Sequence, residues 1–135
     1  MNKHVLSLVM IFVLLCTMSI SVSAASASTV GETSGGTLGI AKTKAELNVY
    51  TDHATATTWS GQAQGIILKT ELTYFYYNAN YQTSRLYATG SSTATAYPGP
   101  IPNVPSAIKG ESVHRVYCPN GEWGSWTSNL SANVW

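Results

Sequence analysis

Residues 66–77 read Ile-Ile-Leu-Lys-Thr-Glu-Leu-Thr-Tyr-Phe-Tyr-Tyr, and this stretch decides the fold class. Lys69 and Glu71 mark its odd-numbered positions as solvent-facing, while the even-numbered positions carry mostly aliphatic and aromatic residues. A period of two residues is typical of a β-strand with one buried face. The stretch therefore predicts a long strand with an even-numbered core face, and it leaves the rings of Phe75 and Tyr77 on the outer face.

The same alternation recurs along most of the chain. It predicts further strands at residues 45–56, with a β-bulge or bend near Asp52, and at 85–89, 93–97, 111–118 and 123–130, with one more strand pairing at 132–135. The segments 90–92 and 119–122 have the composition of turns between strands. The sequence therefore predicts an all-β fold, a small antiparallel β-sandwich or open barrel of about six to seven strands.

The N-terminus has the layout of a secretory signal peptide. Lys3 precedes an apolar run, and small residues suited to cleavage follow, with a preferred cut after Ala24 and an alternative after Ala27. The run from Val5 to Ile20 is interrupted by polar residues and is shorter than the ~20 residues of a spanning helix. We expect a signal peptide over residues 1–24, a secreted product, and no membrane span after cleavage.

The mature chain divides into two parts. Residues 25–40 are Ser, Thr, Ala and Gly with little apolar periodicity, which predicts a flexible, disordered leader. Residues 41–135 are long enough for a single β domain with its own core.

Charge excludes one class of partner. The chain has seven Lys and Arg residues and six Asp and Glu residues, and removal of Lys3 with the signal peptide leaves six of each sign. Neutralising phosphates requires clustered cations, so we expect neither nucleic acid nor an anionic membrane as the primary partner.

Cys118 is the only cysteine left after removal of Cys16 with the signal peptide, so internal disulfides are excluded. Three states are open to Cys118: buried, paired with another chain, or reactive. Self-association is expected either through such a pair or through an open sheet edge.

The histidines give little support for catalysis or metal binding. His114 and Cys118 lie four residues apart on one strand face, about 13 Å on an extended chain, so they cannot share one metal ion. A nucleophilic pair of Cys118 with His53 requires the fold to bring them together. Paired carboxylates, as in glycoside hydrolysis, form only in space. We predict no metal site, no cofactor and no catalytic residues.

Aromatic residues give the main candidates for a binding site, because rings combine apolar area with a polar edge. The candidates are Phe75, Tyr77, Tyr81, Tyr97, Trp123 and Trp126. The sequence predicts a secreted, non-enzymatic β-sandwich that binds a protein or a cell-envelope glycan through these side chains. The alternative is a small secreted hydrolase that uses paired carboxylates or Cys118 with His53.

The plan of signal peptide, small Ser/Thr-rich β domain and tyrosine clusters resembles that of small exported proteins of Gram-positive bacteria. These include bacteriocins that fold as β-sandwiches, which makes a bacteriocin-like antagonist one form of the predicted function. No motif in this chain is specific enough to transfer a family's functional residues to it.

Overall fold

The computed structural model of this chain describes residues 24–99 and 107–134, which form nine β-strands and no helix. The strands are β1 (Ala25–Glu32), β2 (Ser34–Gly35), β3 (Lys42–Val49), β4 (Ala54–Ser60), β5 (Ile67–Tyr77), β6 (Thr83–Gly90), β7 (Thr93–Ala96), β8 (Ala107–Tyr117) and β9 (Gly124–Asn133). Residues 1–23, almost all of the predicted signal peptide, lie outside the described residues. So do most of the proline-rich segment and Trp135.

The strands form two antiparallel sheets that pack against each other. The four-stranded sheet has the order β1-β3-β4-β7, and the five-stranded sheet has the order β2-β9-β8-β5-β6. Neither sheet closes into a barrel, so the architecture is a sandwich. The prediction of an all-β fold is confirmed.

Strand β5 lies between β6 and β8 in the five-stranded sheet, and its two faces are those that the alternation predicts. Leu72 and Tyr74 are fully buried against the other sheet, whereas Lys69 and Tyr77 are exposed on the outer face. One face of this antiparallel sheet packs on the core and the other meets solvent, which explains the strong period-two pattern of β5.

The predicted disorder of residues 25–40 is wrong for much of this segment, because residues 25–32 form β1 and residues 34–35 form β2. β1 pairs with β3 from Ala25 opposite Val49 to Glu32 opposite Lys42. Its inward side chains are small, so they fill the edge of the core without giving a visible hydrophobic period. These two strands, together with the division of residues 45–56 into β3 and β4, raise the count from the predicted six or seven to nine.

Buried Thr33 fixes the crossing of the chain from one sheet to the other. Its hydroxyl donates to the carbonyl of Trp123 and accepts from the amide of Ala41 at 2.8 Å. At the other end of β3, the predicted bend near Asp52 is a hairpin turn into β4, in which the Tyr50 amide donates to the His53 carbonyl at 2.8 Å.

In both sheets the core combines small and large side chains. Ala residues from β4 and β7 face the buried side chains of Leu72 and Tyr74. The sheets approach each other closely at Gly110 on β8, where a Cβ atom would lie 2.7 Å from Cγ2 of Val49. Only glycine fits this position without displacing Val49.

Candidate functional site

The outer face of the five-stranded sheet carries a groove with a volume of about 490 Å³. Thr73 and Val113 are short and form its floor, whereas Tyr87 on β6 and Asn129 on β9 stand at its two sides. Pairing sets this arrangement, since Thr73 lies opposite Tyr87 and Val113 lies opposite Asn129. The groove therefore crosses the strand direction and spans β6, β5, β8 and β9.

Three long side chains from neighbouring strands form a polar brace along one side of the groove. The Tyr87 hydroxyl donates to Oε1 of Glu71 at 2.7 Å, and Nη1 of Arg115 donates to Oε2 of the same carboxylate. Tyr87 and Arg115 each sit diagonally from Glu71 across a strand pair, within reach of long side chains. The brace holds the Tyr87 ring in one position, although the residue is 58% exposed.

These contacts shift the acid–base properties of the brace. The hydrogen bond from Tyr87, followed by that from Arg115, lowers the pKa of the Glu71 carboxyl. The bond to Glu71 raises the pKa of the Tyr87 phenol. Glu71 is therefore an ionised acceptor at neutral pH, and it is unsuited to donating a proton.

The second carboxylate of the groove is paired as well. Nζ of Lys109 lies 2.7 Å from Oε1 of Glu111 and 4.6 Å from the centroid of the Phe75 ring. Lys109 thus contacts both Glu111 in the groove and Phe75, which lies on the same face of the sheet. Glu71 and Glu111 each have a cationic partner, so the charges of the two pairs cancel.

The six aromatic candidates from the sequence do not form one surface. Phe75 and Tyr77 lie on the outer face of β5, half-buried and 36% exposed respectively. Tyr81 is exposed in the β5–β6 turn with a φ of 57°. Tyr97 belongs to the other sheet, where it follows β7 and packs edge-on to His53.

The two tryptophans of the last hairpin pack against the protein. Trp126 faces the four-stranded sheet, since a Cβ atom at Gly31 would meet its Nε1 at 2.5 Å. Trp123 precedes β9 and lies against Gly39, where a Cβ atom would be 3.8 Å from the Trp123 ring. Both rings are half-buried, which places Trp126 in the sandwich interior and leaves Trp123 at its margin.

His114 is fully buried within a chain of side-chain hydrogen bonds between the sheets. Thr70 donates to the Ser91 carbonyl at 2.6 Å, so the contact between Thr58 and Thr70 requires Thr58 to donate to Thr70. Thr58 must then accept from Nδ1–H of His114, and Nε2 of neutral His114 accepts from Ser112. Desolvation lowers the pKa of His114 to about 4.

The contact between Ser112 and His114 has the 2.7 Å length of a nucleophile–base pair, but both residues are almost completely buried. Cys118 and His53 do not meet either. His53 precedes β4, whereas Cys118 lies beside Gly65, beyond the other end of that strand. A strand of this length separates its ends by about 20 Å.

Cys118 is 9% exposed, and its thiol donates to Oδ1 of Asn120 at 2.7 Å. The structure thus assigns it the first of the three states that the sequence left open. Among the described residues, no group of three His, Cys, Asp or Glu side chains converges on a point that could hold a metal ion. The sheets end at β1 and β7 and at β2 and β6, of which β1 and β6 are eight-residue edge strands.

Sequence reasoning missed Tyr87, Asn129 and Trp59. Tyr87 alternates with the inward residues Leu86 and Ala88, so its outward position was readable from the pattern. Trp59 is 51% exposed on the outer face of the four-stranded sheet. The groove itself had no sequence signal, because it depends on side-chain lengths across four strands.

Two further findings concern membrane-spanning helices and similarity to known proteins. Within residues 24–99 and 107–134, no helix is long and apolar enough to cross a lipid bilayer. No model of a protein family, no curated protein sequence and no solved structure matches this chain.

Proposed function

We propose that this protein is a secreted, non-enzymatic binding protein that contacts a protein or a cell-envelope component through the outer face of its five-stranded sheet. The observation that carries the proposal is the groove beside the exposed ring of Tyr87. The Tyr87 hydroxyl donates to the Glu71 carboxylate, which Arg115 also binds. A ring fixed before binding loses little conformational entropy when a partner covers it. Phe75 and Tyr77 extend the aromatic surface on the same face.

Export is part of the proposal. The first strand begins at Ala25, directly after the preferred cleavage site, so this cut leaves β1 whole. A cut after Ala27 would remove two residues that pack against the core. Intact-mass measurement of the protein recovered from culture medium tests this step, and we expect Ala25 as its first residue.

Binding is tested by co-sedimentation of the mature protein, from Ala25 to Trp135, with intact cells, isolated cell walls and insoluble polysaccharides. We expect the Phe75→Ser/Tyr77→Ser double variant to lose binding. Trp59→Ser is the matched control, since it removes an exposed ring from the opposite sheet. Loss of binding in Trp59→Ser with full binding by the double variant would reject the proposed face.

A small hydrolase is the second candidate, and one observation favours it: Glu71 and Glu111 line the same groove. Their ion pairs with Arg115 and Lys109 weigh against it, because glycoside hydrolysis needs one carboxyl group with a raised pKa. Incubation with the polysaccharides that the protein binds separates the two functions. Release of reducing ends that Glu71→Gln or Glu111→Gln abolishes would favour the hydrolase.

A further inference from the structure

The groove on the five-stranded sheet has a shape that selects for an elongated ligand. It runs from Tyr87 on β6 to Asn129 and Ser131 on β9, across three inter-strand spacings. At about 4.8 Å for each spacing, this length is roughly 14 Å. A volume of about 490 Å³ distributed along such a length suits a segment of a chain better than a compact small molecule.

The charges inside the groove are paired. Glu71 and Glu111 place two carboxylates inside it, and the nearest cations, Arg115 and Lys109, are already paired with them. A ligand rich in phosphate or carboxylate would face both carboxylates inside the groove, and a further cation, Arg85, lies beside the groove next to Thr73 and Tyr87. The two pairs inside the groove cancel, which favours an uncharged ligand there.

The lining of the groove combines apolar and polar surface, and its polar part includes charged groups. Protein interfaces have cores depleted in charged residues and rich in apolar area. Here two carboxylates lie beside Val113 and the Tyr87 ring, together with hydroxyl and amide groups. Such a lining suits a ligand that carries many hydroxyl groups of its own.

The Tyr87 ring supplies the complementary apolar element. A hexose ring has an apolar face of C–H groups and a rim of hydroxyl groups. The exposed Tyr87 ring offers a flat apolar surface for that face, while Asn129 and Ser131 offer donors and acceptors for the rim. The hydrogen bond to Glu71 sets the orientation of the ring before the ligand arrives.

We propose that the groove between Tyr87 and Asn129 binds an uncharged polysaccharide chain of a cell envelope, which lies across β6, β5, β8 and β9. This inference rests on the proposed function, because it names the ligand class of the same face. In it, Tyr87 is the stacking residue, and Asn129 and Ser131 bind the hydroxyl groups.

Isothermal titration calorimetry with soluble polymers tests the ligand class. The uncharged probes are hydroxyethyl cellulose, a mixed-linkage β-glucan and glycol chitin, and the anionic probe is alginate. We expect binding to at least one uncharged probe and none to alginate. Tyr87→Ala and Asn129→Ala should each weaken that binding about tenfold or more, as expected for residues at the centre of a binding site.

Two control variants show whether a loss of binding is specific to the groove and to the Tyr87 ring. Trp59→Ala, on the opposite sheet, should bind like the wild type. Tyr87→Phe keeps the ring and loses the hydrogen bond to Glu71, so it should bind better than Tyr87→Ala. Equal losses in Tyr87→Phe and Tyr87→Ala would overturn the stacking role.

The results separate failure of the ligand class from failure of the proposed function. The proposed ligand class is wrong if no uncharged probe gives a heat of binding, or if alginate binds more tightly than the uncharged probes. If the wild type then still sediments with cell walls and the Phe75→Ser/Tyr77→Ser variant does not, the proposed function stands. If no variant on this face changes sedimentation, both proposals fall.

Discussion

Lowering the pH from 7 to 5 should destabilise this protein through a single buried residue, His114. The side chain is fully buried between the sheets, and both of its ring nitrogens are used in hydrogen bonds. Desolvation lowers its pKa from 6.5 to about 4 in the folded protein. Between these two values the unfolded chain binds a proton at His114 and the folded protein does not, so the free energy of unfolding falls as the pH falls.

The size of the effect follows from the two pKa values. A difference of about 2.5 units, at 1.36 kcal/mol each, gives a limiting loss of about 3 kcal/mol at pH well below 4. Over the interval from pH 7 to pH 5, the linkage relation gives a loss of about 2 kcal/mol. This is a large share of the ~5 to 15 kcal/mol that stabilises a typical domain.

Urea denaturation followed by tryptophan fluorescence at pH 7, 6 and 5 measures this loss. His114→Gln removes the titrating group while keeping a polar side chain. Between pH 7 and pH 5, its free energy of unfolding should therefore fall by about 2 kcal/mol less than that of the wild type. His53 is present in both proteins, and its contribution cancels in the comparison. The lowered pKa of the Glu71 carboxyl changes the free energy of unfolding mainly below pH 4.5, its ordinary pKa, and therefore below the interval from pH 7 to pH 5.

The result that refutes this reasoning is equal pH dependence in the wild type and in His114→Gln. A wild-type free energy of unfolding that stays constant from pH 7 to pH 5 would also refute it. Either result would mean that water reaches His114 or that Ser112 and Thr58 reorganise to accept its proton.

Three further predictions concern the core. Leu72→Ala should lower the free energy of unfolding by about 2 to 5 kcal/mol, because the side chain is fully buried; a neutral result in urea denaturation would reverse the assignment of the faces of β5. Gly110→Ala should cost about 1 to 3 kcal/mol through the contact of its new methyl group with Val49, and unchanged thermal stability would contradict that close packing. Cys118 should react slowly with a thiol reagent in the native protein and fast in urea; equal rates would show that the thiol is accessible.

The alternation of β5 was enough to predict the fold class, because the strand has neighbours on both sides and one face fully buried. The turn after Cys118 was also predictable: the Gly121 amide donates to the Cys118 carbonyl, as its Pro-Asn-Gly composition suggests. In both places, local chemistry and global packing favour the same structure.

The segments that sequence reasoning misread lack a local signal. Strand β1 is held by its pairing with β3, and its Ser, Ala and Thr residues have the composition of a flexible linker. The groove also lacks a local sequence signal. It arises because Thr73 and Val113 are short between longer neighbours on other strands, and the strand register that brings them together is not encoded in any one segment.

Hydroxyl-radical footprinting of the mature protein, free and bound to isolated cell walls, tests the proposed binding face most directly. It reports the solvent access of each aromatic side chain by mass spectrometry. We predict that Tyr87 and Tyr77 become protected on binding, while Trp59 and Tyr97 keep the oxidation rates of the free protein. Protection of Trp59 with unchanged oxidation of Tyr87 would contradict the account, since it would place the partner on the four-stranded sheet.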